Sequence, residues 1–121
     1  GFVYHESQKD QRKKIFIVDD DEDLREVMGW ALGKEGHAIF SFHSPKEALK
    51  KLASGYVKPH LIVVDFHMDE MKGSEFLVLK DKIHYVKDCP VIMISASPLE
   101  AERDVRPGLY QEVITKPIDL T

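Results

Sequence analysis

The sequence predicts an α/β fold: a parallel sheet wrapped by helices. Three observations predict it. Five short apolar runs recur along the chain, helical patterns lie between successive runs, and the connections are only a few residues long. A length of 121 residues suits one domain with its own core.

The elements follow in order. Residues 1–13 are polar and without periodicity, and read as a flexible N-terminal tail before a folded domain over 14–121. Ile15-Phe16-Ile17-Val18 is a continuous apolar run, as expected of a strand buried on both faces. Leu24, Val27, Met28, Ala31 and Leu32 share one helical face, and Gly36 ends that helix. His37 to Phe42 reads as the second strand. Ser44-Pro45-Lys46-Glu47 is a helix start, with Ser44 as cap, Pro45 at the first position and Glu47 closing a capping box. Ala48, Leu49 and Leu52 form its apolar side and Gly55 its stop. His60 to Asp65 is the third strand. Gly73 and Ser74 open a helix with Phe76, Leu77, Lys80 and Ile83 on one side. Pro90 to Ser95 is the fourth strand. A short helix runs from Pro98 to about Arg106 before Pro107-Gly108, and Glu112 to Thr115 is the fifth strand.

Composition excludes some function classes. The net charge of −4 argues against nucleic acid as a direct partner, because phosphate backbones demand basic patches. The cluster Lys9, Arg12, Lys13, Lys14 reads as a solvated lead-in to the first strand. No apolar stretch approaches the roughly 20 residues that span a bilayer. The single cysteine, Cys89, forbids an internal disulfide, and a cytoplasmic setting fits.

Polar residues gather at the strand C-terminal ends. Asp19-Asp20-Asp21 follows the first strand, Asp65 ends the third, Ser95 ends the fourth, and Lys116 follows the fifth. In an open parallel sheet these ends meet at one crevice. Carboxylates about 5 Å apart repel by roughly 3 kcal/mol per pair at an effective dielectric near 20. A hard divalent cation removes that cost, and oxygen ligands with room for water and phosphate suit Mg²⁺. Lys116 adds a positive charge and Ser95 a hydroxyl. Together these are the parts needed for phosphoryl transfer onto Asp65.

This arrangement resembles the receiver domains of bacterial two-component response regulators. Lys14-Ile15-Phe16-Ile17-Val18-Asp19-Asp20-Asp21 is similar to the family's first strand and acidic pair. Leu61 to Met68 resembles its phosphoacceptor strand, Met71-Lys72-Gly73 the loop that follows, Val91 to Ala96 the strand ending in a hydroxyl and a small residue, and Ile114 to Pro117 the lysine motif. The intervals of 45 residues from Asp20 to Asp65 and 30 from Asp65 to Ser95 are family-like. The resemblance covers about Lys14 to Asp119. It implies a flavodoxin-like, doubly wound, five-stranded parallel sheet in the order 2-1-3-4-5. It implies Mg²⁺ held by Asp19, Asp20, Asp65 and the His67 carbonyl. Asp65 becomes the phosphoacceptor, Ser95 and the Ala96 amide bind the phosphoryl group, and Lys116 pairs with it. A cis Lys116-Pro117 bond is implied as well. The partners would be a histidine kinase or phosphotransfer protein and a downstream protein or effector domain outside this chain.

The departures from the family pattern are specific. Asp69 stands where the family usually has proline, which predicts a more flexible and more acidic loop. Val113 stands where a switch aromatic is usual, three before the lysine. The Ser95-to-Lys116 interval of 21 is about one short. The fifth helix is expected to be truncated or missing, leaving an apolar sheet face that Phe2, Val3 and Tyr4, a second copy in a homodimer, or a helix from a following segment of a longer chain would cover, the last two together being the favoured expectation. Two rival readings differ in class. A phosphorylation-independent, receiver-like interaction module is favoured by Val113. An aspartate-nucleophile phosphatase of the haloacid-dehalogenase type needs an acid two residues after the nucleophile, where His67 stands. The six histidines show no metal-site spacing. Trp30 lies off its helix's apolar stripe, at the stripe's edge or in a partner contact, and Cys89 reads as inert.

Overall fold

A computed structural model describes residues 12–118. The flexible tail expected over 1–13, with Phe2, Val3 and Tyr4, lies almost wholly outside the described residues. The strands are β1 (Lys14–Val18), β2 (Ala38–Phe42), β3 (Leu61–Asp65), β4 (Val91–Ser95) and β5 (Glu112–Thr115). Between them run α1 (Glu22–Lys34), α2 (Pro45–Ser54), α3 (Gly73–Asp81) with a 3-10 turn at His84–Val86, and α4 (Pro98–Asp104). All strand pairings are parallel and the order is β2-β1-β3-β4-β5. The chain therefore reverses its direction of winding between β1 and β3, which opens a crevice beyond their carboxyl ends.

Strand pleating sends alternate side chains to the two faces. On one face Phe16, Val18, Ile62, Val64, Val91 and Met93 pack with Ala48 and Leu52 of α2, Phe76 and Leu77 of α3, and Ala101 of α4. On the other, Ile15, Ile17, Val63 and Ile94 pack with Leu24, Met28 and Leu32 of α1 and with Ile118. Those four sheet residues are buried. Toward the β4–β5 edge of the same face, Ile92 and Ile114 are only half-buried.

Local signals explain the helix ends. The Asp21 side chain accepts the Leu24 N–H and caps α1. Ser44 caps α2 by accepting the Glu47 N–H, Pro45 sits in its first turn, and Gly55 closes it at φ 77°. The carboxylate that reaches this N-terminus is Glu70, from the loop after β3. Its Oε1 accepts the Ser44 hydroxyl at 2.8 Å and the Lys46 N–H at 3.0 Å. The sequence pattern pointed to Glu47, because a capping box is local whereas Glu70 arrives only through the fold. α4 has seven residues between Pro98 and the Pro107-Gly108 break. Lys80 is buried on the α3 face, and its ammonium donates to the carbonyls of Lys87 and Cys89 at 2.8 and 3.0 Å. Trp30 is exposed, with the Lys34 ammonium 4.3 Å from its ring centre.

Candidate functional site

β3 and β4 end in Asp65 and Ser95, and Asp19 directly follows β1, all at the same edge of the sheet. Asp19, Asp65 and Ser95 are buried there, while Asp20 is exposed. Backbone bonds fix the edge. Asp19 N–H donates to Phe42 O at 3.1 Å, Phe66 N–H to Ile94 O at 2.8 Å, and Lys116 N–H to Ser95 O at 2.9 Å. Arg25 donates from Nη1 to the Asp19 carbonyl at 2.8 Å and ties α1 to the same point. Gly73 shows why the start of α3 needs glycine. A β-carbon there would lie 2.6 Å from the Asp65 carbonyl oxygen and 2.9 Å from Phe66 Cα. Only a bare Cα lets α3 close on the end of β3.

The expected residues converge. Asp19, Asp20 and Asp65 each present a carboxylate oxygen, and these atoms lie within 4.8 Å of one another. Lys116 Nζ stands 3.3 Å from Asp19 Oδ2 and 3.3 Å from Asp65 Oδ2. The Asp21 N–H donates to Asp19 Oδ1 at 2.9 Å. Asp19 Oδ2 is buried, and its ion pair with Lys116 is not aligned as a hydrogen bond. Among the described residues this donor set is all oxygen, carries three negative charges against one lysine, and includes a buried oxygen without a hydrogen-bond donor. It fits a hard cation such as Mg²⁺. Ser95 Oγ accepts the Ser97 N–H at 2.9 Å, which leaves its own O–H free to donate. Ala96 lines a crevice of about 500 Å³ beside Lys116, walled by Asp21, Leu24, Val27 and Ile118. The Lys116-Pro117 bond is cis, as expected.

The electrostatics follow from this crowding. Burial pushes the Asp65 carboxyl up to about 6; Asp19 adds to the rise and Lys116 opposes it. Burial raises Asp19 too, against the Asp21 N–H and Lys116. For Lys116, burial works against the charge, but Asp19 and Asp65 outweigh it and hold the ammonium above its ordinary value.

Sequence reasoning missed how the loop after β3 is held. The Asp69 N–H donates to Asp20 Oδ2 at 2.9 Å, Glu70 caps α2, and His67 Nε2 lies 3.5 Å from Glu100 Oε2 on α4. Where a proline is usual, this loop is tied to the β1–α1 loop, to α2 and to α4 by these contacts. Its added acidity stands. Val113 is half-buried in β5 beside Met93. Tyr110 packs on the main core from the preceding loop.

A family model described as the response regulator receiver domain matches residues 15–121. The transcriptional regulatory protein GlrR of Escherichia coli (strain K12) is 31% identical over 107 residues, covering 87% of this chain and 23% of that protein. The chain thus spans about a quarter of that relative. The chemotaxis response regulator CheY4 of Vibrio cholerae superposes with a TM-score of 0.81 at 21% identity, covering 91% of each chain. The response regulator TrrA of Thermotoga maritima, solved in complex with Mg²⁺-BeF, gives 0.74 at 28% identity, covering 88% of this chain and 89% of that one.

Proposed function

The chain belongs to the response regulator receiver domain family, and from that membership we propose that it is a phosphorylation switch whose acceptor is Asp65. The observation that carries the reading is the meeting of Asp19, Asp20 and Asp65 within 4.8 Å, with Lys116 bridging two of them. Receiver domains are signalling switches and not enzymes of the ordinary kind. The phosphorylation-independent reading is not favoured, because nothing in the acceptor set is missing.

The donor is a phosphohistidine on a kinase or phosphotransfer protein. An Asp65 carboxylate oxygen attacks phosphorus, an O–P bond forms, and the P–N bond breaks with the imidazole nitrogen as leaving group. Lys116 pairs with a phosphoryl oxygen as its charge grows, and the Ser95 hydroxyl and Ala96 amide donate to others. Asp19, Asp20, Asp65 and the His67 carbonyl would hold Mg²⁺, which when bound neutralises the acidic cluster and the incoming phosphoryl charge. TrrA, solved with Mg²⁺-BeF, supports such a site in a relative. Slow self-dephosphorylation resets the switch. The output passes to a downstream protein or an effector domain outside this sequence, and the setting is the cytoplasm, with the kinase.

Incubation with acetyl phosphate and Mg²⁺ is expected to add one phosphoryl group, seen by intact-protein mass spectrometry. Asp65→Asn is expected to abolish the addition. Modification that persists in Asp65→Asn sinks the assignment.

A further inference from the structure

The three carboxylates of the site are positioned differently. Asp19 is buried and takes the Asp21 N–H on Oδ1. Asp65 is buried and faces Lys116. Asp20 is exposed, so packing does not hold its rotamer. Among the described residues, what holds it is one hydrogen bond from across the crevice, the Asp69 N–H to Oδ2 at 2.9 Å, between residues 49 apart in the chain. Asp69 is also the position where this chain lacks the proline usual in the proteins it resembles. Proline has no N–H, so a proline-bearing chain has no such bond to offer.

We propose that Asp69, through its backbone N–H, is a positioning residue for Asp20 and pre-orients that carboxylate for the cation. This rests on the reading of Asp19, Asp20 and Asp65 as a cation site. The bond occupies one of the carboxylate's roughly four lone-pair directions and leaves the others open. The donor is itself held in place. One residue on, Glu70 Oε1 is fixed by Ser44 Oγ and the Lys46 N–H. Two residues back, His67 contacts Glu100 on α4. The loop therefore offers the N–H from a braced backbone. Partners of this kind, which orient a metal ligand without touching the metal, commonly set affinity by tenfold or more.

Two variants separate the N–H from the charge. Asp69→Asn keeps the donor and removes only the negative side chain. Asp69→Pro removes both. Calorimetric titration of the full chain with Mg²⁺ alone is expected to show Asp69→Pro about tenfold weaker than Asp69→Asn. Equal affinities overturn the proposal. If Asp69→Pro does not fold, amide hydrogen exchange decides. The Asp69 amide is expected to be protected in the metal-free wild-type chain and to exchange about tenfold faster in Asp20→Ala. An Asp69 amide that exchanges equally fast in both overturns the positioning role. A wild-type chain that binds no Mg²⁺ instead overturns the cation reading, and the exchange measurement then tests the contact by itself.

Discussion

Asp65 is the residue at which stability and chemistry compete. Its carboxyl is pushed up to about 6 in the folded protein, first by burial and then by Asp19, against an ordinary value of 3.8. Below the ordinary value both folded and unfolded chains carry the proton, and folding loses nothing. Between about 4 and 6 the unfolded chain ionises while the folded one does not, so stability falls as pH rises. Above that window both are ionised, and the penalty remains in full. Metal-free wild-type protein is therefore expected to lose stability relative to Asp65→Asn as pH rises from 4 to 6.5. Urea denaturation of both proteins measures the difference, and a difference independent of pH contradicts this account.

At the scale of elements, the junction of β3 with α3 leaves no room for a β-carbon at Gly73. A β-carbon at Gly73 meets backbone atoms of Asp65 and Phe66, and backbone cannot rotate away as a long side chain can. Gly73→Ala is expected to destabilise the fold by about 1–3 kcal/mol, as overpacking does. It is also expected to weaken Mg²⁺ binding, since relief of the clash shifts either α3 or the Asp65 carbonyl. Chemical denaturation and a metal titration of the same variant check both effects. The helices themselves were legible locally: Ser44, Pro45 and Gly55 bound α2 through their own backbone preferences. Glu70 was not legible as part of that start, because nothing in a polar loop marks which helix it will reach.

For the whole molecule, the acidic cluster links metal binding to folding. A cation bound only by the folded chain at ten times its dissociation constant adds about 1.4 kcal/mol. That corresponds to a rise in melting temperature of roughly 3–6 °C for a domain of this size. The rise is expected to disappear in Asp20→Asn, and differential scanning calorimetry with and without Mg²⁺ reads it directly. An unchanged melting point at saturating Mg²⁺ in the wild-type chain counts against the cation site.

The sequence by itself determined the architecture and the meeting of Asp19, Asp20, Asp65 and Lys116 at one sheet edge. Continuous apolar runs such as Ile15 to Val18 specify strands covered on both faces, and regular alternation with helices leaves a parallel sheet as the arrangement that buries them. Strand ends then carry Asp19, Asp20, Asp65, Ser95 and the neighbouring Lys116 to one edge. Tertiary structure alone decided what depends on groups without local sequence signals. Backbone N–H groups look alike in a sequence, so the bond from Asp69 to Asp20 was invisible until the two loops stood side by side. Asp65's raised carboxyl belongs with that bond, since desolvation and the approach of Asp19 and Lys116 exist only once distant segments have met.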